Sequence, residues 1–162
     1  MELSLYVHIP FCGSRCPYCD FAFVVRKTNL APRYVDAIVR ELDARVPDVA
    51  RINTIYFGGG TPSEIPTDLL GGILDHVADR WTVASDAEIT AEANPDDASC
   101  FTGLRQIGAN RLSLGAQAMD NATLKALGRR HTAEQTHDAY QAAREAGFRN
   151  VNLDLIFGAP GQ

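Results

Sequence analysis

Apolar residues along the chain recur at two spacings, the two-residue period of strands and the period of about 3.6 residues typical of helices. The two-residue pattern predicts five strands, at residues 3–9, 52–58, 88–93, 111–116 and 151–157. The helical pattern predicts helices at residues 32–46, 66–81, 97–107, 121–127 and 132–147. Repeated alternation of strands and helices predicts a parallel sheet covered by helices, either doubly wound or a barrel.

The ends of two predicted helices carry recognisable signals. Thr132 with Gln135 three residues later predicts a capping box at the start of the last helix. Gly108 and Gly147 are predicted to stop the third and the last helix, because glycine readily adopts the left-handed conformation that ends helices.

One face of nearly every predicted strand is polar, and this favours one of the two sheet types. Asn152 and Asp154 alternate with apolar residues in the last strand, as Glu92 and Ser113 do in the third and fourth. A doubly wound sheet is covered on both faces and is expected to be apolar on both. The pattern therefore favours a wide or incomplete barrel, with a lumen for a polar ligand and apolar faces turned to the helices.

Segments with candidate chemistry follow the carboxyl ends of the predicted strands, where parallel α/β barrels build their active sites. Three cysteines follow the first strand, glycines 58–60 the second, Asn94 the third and Gln117 the fourth, while Asp154 lies in the last. The glycines permit close approach of the backbone to a ligand, and can present N–H groups to an anion. A tight turn between strand and helix is the alternative interpretation.

Cys12, Cys16 and Cys19 share one short loop with the spacing C-x3-C-x2-C. A structural zinc or a closed iron–sulfur site takes four protein ligands, whereas three thiolates leave one iron of a cubane open. Cys100 lies in a predicted helix far along the chain, and is a poor fourth ligand. The alternative is a zinc site in which His8 is the fourth ligand beside the three cysteines. The strand that contains His8 is, however, expected to carry the imidazole away from the loop.

Polar residues near the strand ends suit recognition of an amino acid or a nucleoside. Glu92 can accept hydrogen bonds from a ligand ammonium group, and an ion pair with Arg111 on the neighbouring strand is the alternative. Gln117 and Asp154 match the polar groups that such a ligand requires.

Two basic residues follow the short fourth helix. Arg129 can bind a ligand carboxylate, and a solvated basic turn that it forms with Arg130 is the alternative. His131, the next residue, is a further candidate for a contact with substrate.

Composition narrows the class of protein. The chain has 162 residues, 46% apolar and 22% charged, which is typical of a globular domain. Its net charge of −5 argues against a nucleic-acid surface, and no apolar run is long enough to span a membrane. The first residues lack the basic start of a signal peptide, so clustered cysteines indicate a metal site in a reducing cytoplasm.

Five motifs, in order along the chain, resemble the radical S-adenosylmethionine (SAM) superfamily and, within it, the oxygen-independent coproporphyrinogen III oxidase family. They are LYVHIPFC at 5–12 with the cysteine loop behind it, GGGTP at 58–62, RLSLGAQ at 111–117, LGRRH at 127–131 and NLDLIFG at 152–158. The oxidase pattern has a further cysteine two places after the third, where this chain has Phe21. That departure, with the short start before Tyr6, resembles the haem chaperone branch.

The resemblance implies a partial (βα)6 barrel and a 4Fe–4S cluster held by Cys12, Cys16 and Cys19. The open iron would bind the amino and carboxylate groups of SAM. By motif position, the residues implied to contact this first SAM are Tyr6, Gly60 and Glu92. Positions that hold a second SAM in the oxidase are matched by Tyr18, Thr61, Gln117, Arg129 and Asp154.

For function, the resemblance implies a cytoplasmic protein that binds haem and transfers it to acceptor haemoproteins, with an electron donor for the cluster. Oxidative decarboxylation of coproporphyrinogen III is the alternative, and a structural zinc module is the second alternative. Residues 1–162 are then expected to be the radical SAM core, the N-terminal part of a longer protein whose haem-binding residues lie beyond Gln162. No nucleic acid is expected as a partner, and a peripheral membrane association is left open.

Overall fold

The computed structural model describes residues 1–159 and 161–162, which contain one five-stranded parallel sheet and a short two-stranded ribbon. The strands are β1 (Glu2–Ile9), β2 (Phe11–Cys12), β3 (Val24–Val25), β4 (Arg51–Gly59), β5 (Thr82–Ala93), β6 (Arg111–Gln117) and β7 (Asn150–Leu155). The helices are α1 (Ala31–Arg45), α2 (Thr67–Arg80), α3 (Phe101–Gln106), α4 (Asn121–Ala126) and α5 (Ala133–Glu145). The sheet order β1-β4-β5-β6-β7 follows the chain, and every neighbouring pair is parallel.

The helices cover the outer face of the sheet, where α1 packs against α2, α2 against α3, and α3 against α5. Apolar residues of β4 and β6 point to this side and form the core with the helices, as Phe57 and Leu112 do with Leu70 and Leu104. The opposite face is the polar one. This arrangement confirms the predicted α/β fold with helices on one face, because helices on both faces would have buried the polar face as well.

Two predicted elements differ from the structure. The third strand begins at Thr82 rather than at residue 88, since Thr82 and Val83 already pair with the start of β4. The helix predicted at 97–107 is a 3-10 helix, Pro95–Cys100, followed by the shorter α3. Asp97 leaves helical geometry there, because its carboxylate accepts hydrogen bonds from the Ser63 hydroxyl and the Asn94 N–H.

The apolar face of the last strand is a correction. Leu153, Leu155 and Phe157 were expected to face helices, but Leu155 is 62% exposed and Phe157 is 94% exposed. Val151, near the start of β7, still packs against the core, whereas these later side chains lie at an exposed edge of the sheet. None of the helices in the described ranges combines the length and apolar character needed to cross a bilayer.

Helix ends agree with the predicted signals. The Thr132 hydroxyl accepts a hydrogen bond from the Gln135 N–H at 3.2 Å, and the Gln135 side-chain oxygen accepts one from the Thr132 N–H at 2.9 Å. Gly108 and Gly147 follow α3 and α5 with φ of 108° and 95°, the left-handed region that favours glycine.

We expect Thr132→Ala to lower the free energy of unfolding by about 1 kcal/mol, because the Gln135 N–H in the first turn of α5 loses its acceptor. Urea denaturation followed by circular dichroism measures the change. Thr132→Ser is the matched control, since it retains the hydroxyl. Equal stability of the alanine and serine variants would contradict a capping role.

Candidate functional site

A cavity of about 680 Å³ opens at the carboxyl ends of the strands. Its wall includes all three clustered cysteines and seven of the eight predicted cofactor contacts. Those ten residues are Cys12, Cys16, Tyr18, Cys19, Gly60, Thr61, Glu92, Gln117, Arg129 and Asp154. Residues more than 140 positions apart in the chain therefore meet at one site, as expected for the catalytic edge of a barrel.

The cysteine loop is joined to the sheet at its start. β2 and β3 pair across its base, and the Gly60 N–H donates to the Ile9 carbonyl at 2.8 Å. The Thr61 N–H donates to the Phe11 carbonyl at 2.7 Å. A Cβ on Gly60 would lie 2.7 Å from the carbonyl carbon of Pro10 and 2.8 Å from the Phe11 oxygen. The glycine is required because backbone meets backbone here, which is a reason that the sequence interpretation did not include.

The three loop cysteines are free thiols of intermediate burial. Burial raises the pKa of Cys12, while a hydrogen bond from the Thr61 hydroxyl, 3.7 Å from the sulfur, acts in the opposite direction. Arg129 Nη1 donates to the Cys16 sulfur at 3.5 Å. Two of the three sulfurs thus have a donor from outside the loop.

Glu92 is not paired with Arg111, so that alternative is wrong. Its carboxylate accepts hydrogen bonds from the Tyr56 hydroxyl at 2.7 Å and from the Gly59 N–H at 3.0 Å. Arg111 instead contacts Glu88 and the Thr90 hydroxyl, lower in the lumen. Desolvation raises the pKa of Tyr56, and its bond to Glu92 raises it further, so Tyr56 remains a donor at neutral pH.

Arg129 and Arg130 point in different directions, so the solvated basic turn is wrong for Arg129. Its two terminal nitrogens donate to Cys16, the Tyr18 hydroxyl, Asn94 Oδ1 and the Gly115 carbonyl. Arg130 has a side chain that is 47% exposed and pairs with carboxylates of the neighbouring wall. Burial raises the pKa of Tyr18 to about 12, although the Arg129 charge opposes this.

Asp154 and Gln117 shape the far wall of the cavity. The Asp154 carboxylate accepts hydrogen bonds from the Ser113 hydroxyl at 3.0 Å and from the Asn152 amide at 2.6 Å. Gln117 has φ of 64° at the centre of a γ-turn, in which the Ala118 N–H donates to the Ala116 carbonyl. A non-glycine residue in this region is strained, and such strain concentrates at ligand sites.

Three sequence candidates lie elsewhere. Tyr6 is outside the cavity wall, where its ring stacks on Tyr56 and its hydroxyl contacts His8 Nδ1. His8 Nε2 contacts the Ala22 carbonyl at 2.7 Å, so the imidazole still reaches the loop, but it does so away from the cavity that the thiols line. His131 is buried with Nε2 on the Ala116 carbonyl, so it is not a substrate contact.

Sequence reasoning also missed residues of the wall. Tyr56 and Glu64 line the cavity but were not singled out, and Asn94 and Ser113 were noted without a role. The alternation of β4 could have identified Tyr56, because its register aligns it with Thr90 on the polar face of β5. Glu64 lies in a short 3-10 helix, for which no periodic signal exists.

The model of the Radical SAM superfamily matches residues 6–162. The chain belongs to the radical SAM superfamily. Similar proteins include the "Heme chaperone HemW" of Lactococcus lactis, 39% identical over 98% of this chain and 42% of that protein. HemW of Escherichia coli is 41% identical over 99% of this chain and 44% of that protein. The chain thus spans about two fifths of the length of these relatives.

The fold comparison agrees with the radical SAM assignment. Coproporphyrinogen III oxidase (HemN) from Escherichia coli, a radical SAM enzyme, superposes with a TM-score of 0.89 at 33% identity, over 98% of this chain and 38% of that chain. The predicted partial radical SAM barrel and the predicted resemblance are both confirmed. Membership of the superfamily implies a 4Fe–4S cluster and SAM.

The residues fit the cluster of a radical SAM protein. Within the described ranges, no three His, Cys, Asp or Glu side chains converge as ligands of a single metal ion. A cubane differs, because each thiolate binds a different iron and the three sulfurs need not converge on one point. Three thiols on one cavity wall, with His8 facing other partners, suit a cubane better than a His-Cys₃ zinc site.

We expect Gly60→Ala to lower the free energy of unfolding by about 2 kcal/mol, because its Cβ would overlap the backbone at Pro10 and Phe11. Gly72→Ala is the matched control, since Gly72 lies in α2 with no atom near its Cβ position and should gain about 1 kcal/mol. Urea denaturation measures both. A neutral Gly60→Ala would contradict the close backbone contact.

His131 predicts a pH dependence of stability. Burial lowers its pKa, and protonation would create an N–H at Nδ1, which has no partner among the described residues. The unfolded chain therefore binds this proton more readily, and stability falls as pH drops below the ordinary histidine pKa of about 6.5.

When the pH is lowered from about 7.5 to about 5.5, we expect the free energy of unfolding to fall less in His131→Gln than in the wild type. Urea midpoints at the two pH values measure the difference, and His137→Gln, at an exposed position, is the control. Parallel pH profiles of the wild type and His131→Gln would show that the buried histidine is not the source.

Proposed function

We propose that residues 1–162 are the N-terminal radical SAM core domain of a haem chaperone. In this proposal Cys12, Cys16 and Cys19 hold a 4Fe–4S cluster, and the adjoining cavity binds SAM. The observation that carries it is the position of the three thiols on one wall of a cavity whose other walls present Glu92 and Asp154. The whole protein binds haem and transfers it to acceptor haemoproteins.

Several of the predicted contacts have definite chemical roles in this proposal. When bound, the cluster supplies the electron for reductive cleavage of SAM. Glu92 accepts from the SAM ammonium, since a carboxylate with two donors from Tyr56 and Gly59 still has free lone pairs. Asp154 accepts from ribose hydroxyls on the far wall. Gly60 permits close approach, and Tyr6, which lies outside the cavity wall, contacts the first SAM only if the ligand extends past Tyr56, on which its ring stacks.

The chaperone is favoured over the oxidase by Phe21. This residue is 71% exposed and lines the cavity at the place where the resemblance expects a further oxidase cysteine. The similarity of nearly the whole of this chain to about two fifths of proteins named heme chaperone supports the same choice. The oxidase remains the second candidate, because the oxidase HemN superposes closely on nearly the whole chain.

Partners and location are also part of the proposal. Haem, an acceptor haemoprotein and an electron donor are proposed for the whole protein, by analogy with relatives of which this chain covers about two fifths. A cytoplasmic location and a peripheral membrane contact stay predictions.

Anaerobic reconstitution of the full-length protein tests the cluster. We expect the wild type to bind about four irons per chain and to show the EPR signal of a reduced cubane. Alanine at Cys12, Cys16 or Cys19 should abolish the signal. Cys100→Ala is the matched control, since Cys100 is outside the cavity wall, and burial raises its pKa to about 12. Zinc in place of iron would support the zinc module instead.

The same reconstituted protein separates chaperone from oxidase. We expect a haem titration to saturate with a distinct absorption spectrum, and coproporphyrinogen III to remain unchanged with SAM and a reductant. Formation of protoporphyrinogen IX would establish the oxidase and reject the chaperone. Failure of the cluster-loaded protein to bind haem would also reject the chaperone.

A further inference from the structure

Two side chains from outside the cysteine loop donate hydrogen bonds to cysteine sulfurs. The Thr61 hydroxyl, which follows β4, lies 3.7 Å from the Cys12 sulfur. Arg129, which follows α4, places Nη1 3.5 Å from the Cys16 sulfur. Both residues match positions that hold a second SAM in the oxidase, yet here both face the proposed cluster ligands.

Asn94 joins these two donors into one network. Its Oδ1 accepts from Arg129 Nη2, and its Nδ2 donates to the Thr61 hydroxyl oxygen at 3.3 Å. Because an amide has one acceptor end and one donor end, this pair of partners fixes its orientation. Arg129, Asn94 and Thr61 are here called the sulfur-donor network: Thr61 after β4 reaches Cys12, Arg129 after α4 reaches Cys16, and Asn94 after β5 links the two.

The Arg129 guanidinium has little capacity left for another ligand. Nη1 donates to the Cys16 sulfur and the Tyr18 hydroxyl, and Nη2 donates to Asn94 Oδ1 and the Gly115 carbonyl. A guanidinium has five N–H groups, so only Nε–H is left without a partner among the described residues. A bidentate clamp on a carboxylate needs two parallel N–H groups, which Arg129 cannot supply without breaking its present contacts.

We propose that the sulfur-donor network tunes the 4Fe–4S cluster and does not form a second SAM site. This inference rests on the proposed cluster at the three cysteines. Hydrogen bonds and positive charge at thiolate sulfurs favour the reduced cluster, which carries more negative charge. Arg129 contributes both, because a guanidinium carries a positive charge as well as N–H donors. The network therefore raises the reduction potential of the cluster and makes the cluster easier to reduce.

Arg130 provides a matched control for this charge. It is adjacent in sequence and lines the same cavity, but Nη2 pairs with Glu64 at 3.3 Å and Asp96 at 2.8 Å. Removing either arginine removes one positive charge near the loop. Only Arg129 has a hydrogen bond to a cysteine sulfur, so the two variants separate a general charge effect from a direct contact.

Redox titration of the reconstituted full-length protein, followed by EPR, tests the inference. We expect Arg129→Gln to lower the ratio of reduced to oxidised cluster about tenfold at a fixed potential, which is about 59 mV for a one-electron couple. Arg129→Lys and Thr61→Val should lower the ratio about threefold, since each removes part of the donor set. Arg130→Gln should change it less than about twofold, because its charge is already paired.

The outcomes distinguish this inference from the proposed function. Equal potentials in the wild type, Arg129→Gln and Thr61→Val, all with full iron content, would overturn the network and leave the cluster intact. Equilibrium dialysis with labelled SAM gives a second readout, and we expect one SAM per chain in each protein. A fall from two SAM to one in Arg129→Gln would overturn the inference in favour of a second cofactor site.

Thr61→Val keeps the test decisive if Arg129→Gln takes up no cluster. Valine has nearly the shape of threonine, so it removes the hydroxyl donor to Cys12 with little change in packing. A lowered potential in Thr61→Val alone supports the network, and an unchanged one overturns it. A wild-type protein that takes up no cluster would overturn both this inference and the proposed function.

Discussion

The close contact between the Gly60 backbone and the start of the cysteine loop is the constraint on which the site depends. The hydrogen bonds from the Gly60 and Thr61 N–H groups to the Ile9 and Phe11 carbonyls join the loop to the carboxyl end of β4. No side chain fits between these backbones. Because Thr61 is fixed in this way, its hydroxyl meets Cys12 rather than solvent, and the thiols face the polar lumen instead of the helices.

The polar lumen is stable because its charged groups already have partners in the protein. Glu92 accepts from Tyr56 and Gly59, and Asp154 accepts from neighbouring polar side chains of β6 and β7. Buried polar groups without such partners would cost several kcal/mol each. These bonds also orient each carboxylate before a ligand arrives, which lowers the ordering cost of binding. Gln117 lies in the same wall, and its strained backbone likewise fixes the direction of a polar side chain.

Much of this fold could be predicted from local patterns. The five strands, their polar faces and the meeting of their carboxyl ends follow from alternation and from the geometry of parallel sheets. The grouping of the three cysteines as one candidate metal site followed from their spacing alone. Patterns failed where a neighbour in space overrides local preference, as at Asp97, whose bond to Ser63 interrupts the helix. They failed also at β7, since alternation predicts an apolar face but not whether anything covers it.

The sequence by itself determined the class of sheet, the triplet of thiols and the set of polar residues at one edge. Those properties depend on residue type and on positions close in the chain. Tertiary structure alone decided which partner each polar group has. Glu92 accepts from Tyr56 rather than pairing with Arg111. Arg129 donates to the Cys16 sulfur, while Arg130 forms an ion pair with Asp96. Hydrogen bonds act over about 3 Å, and these partners are brought within that distance only when distant strands pair.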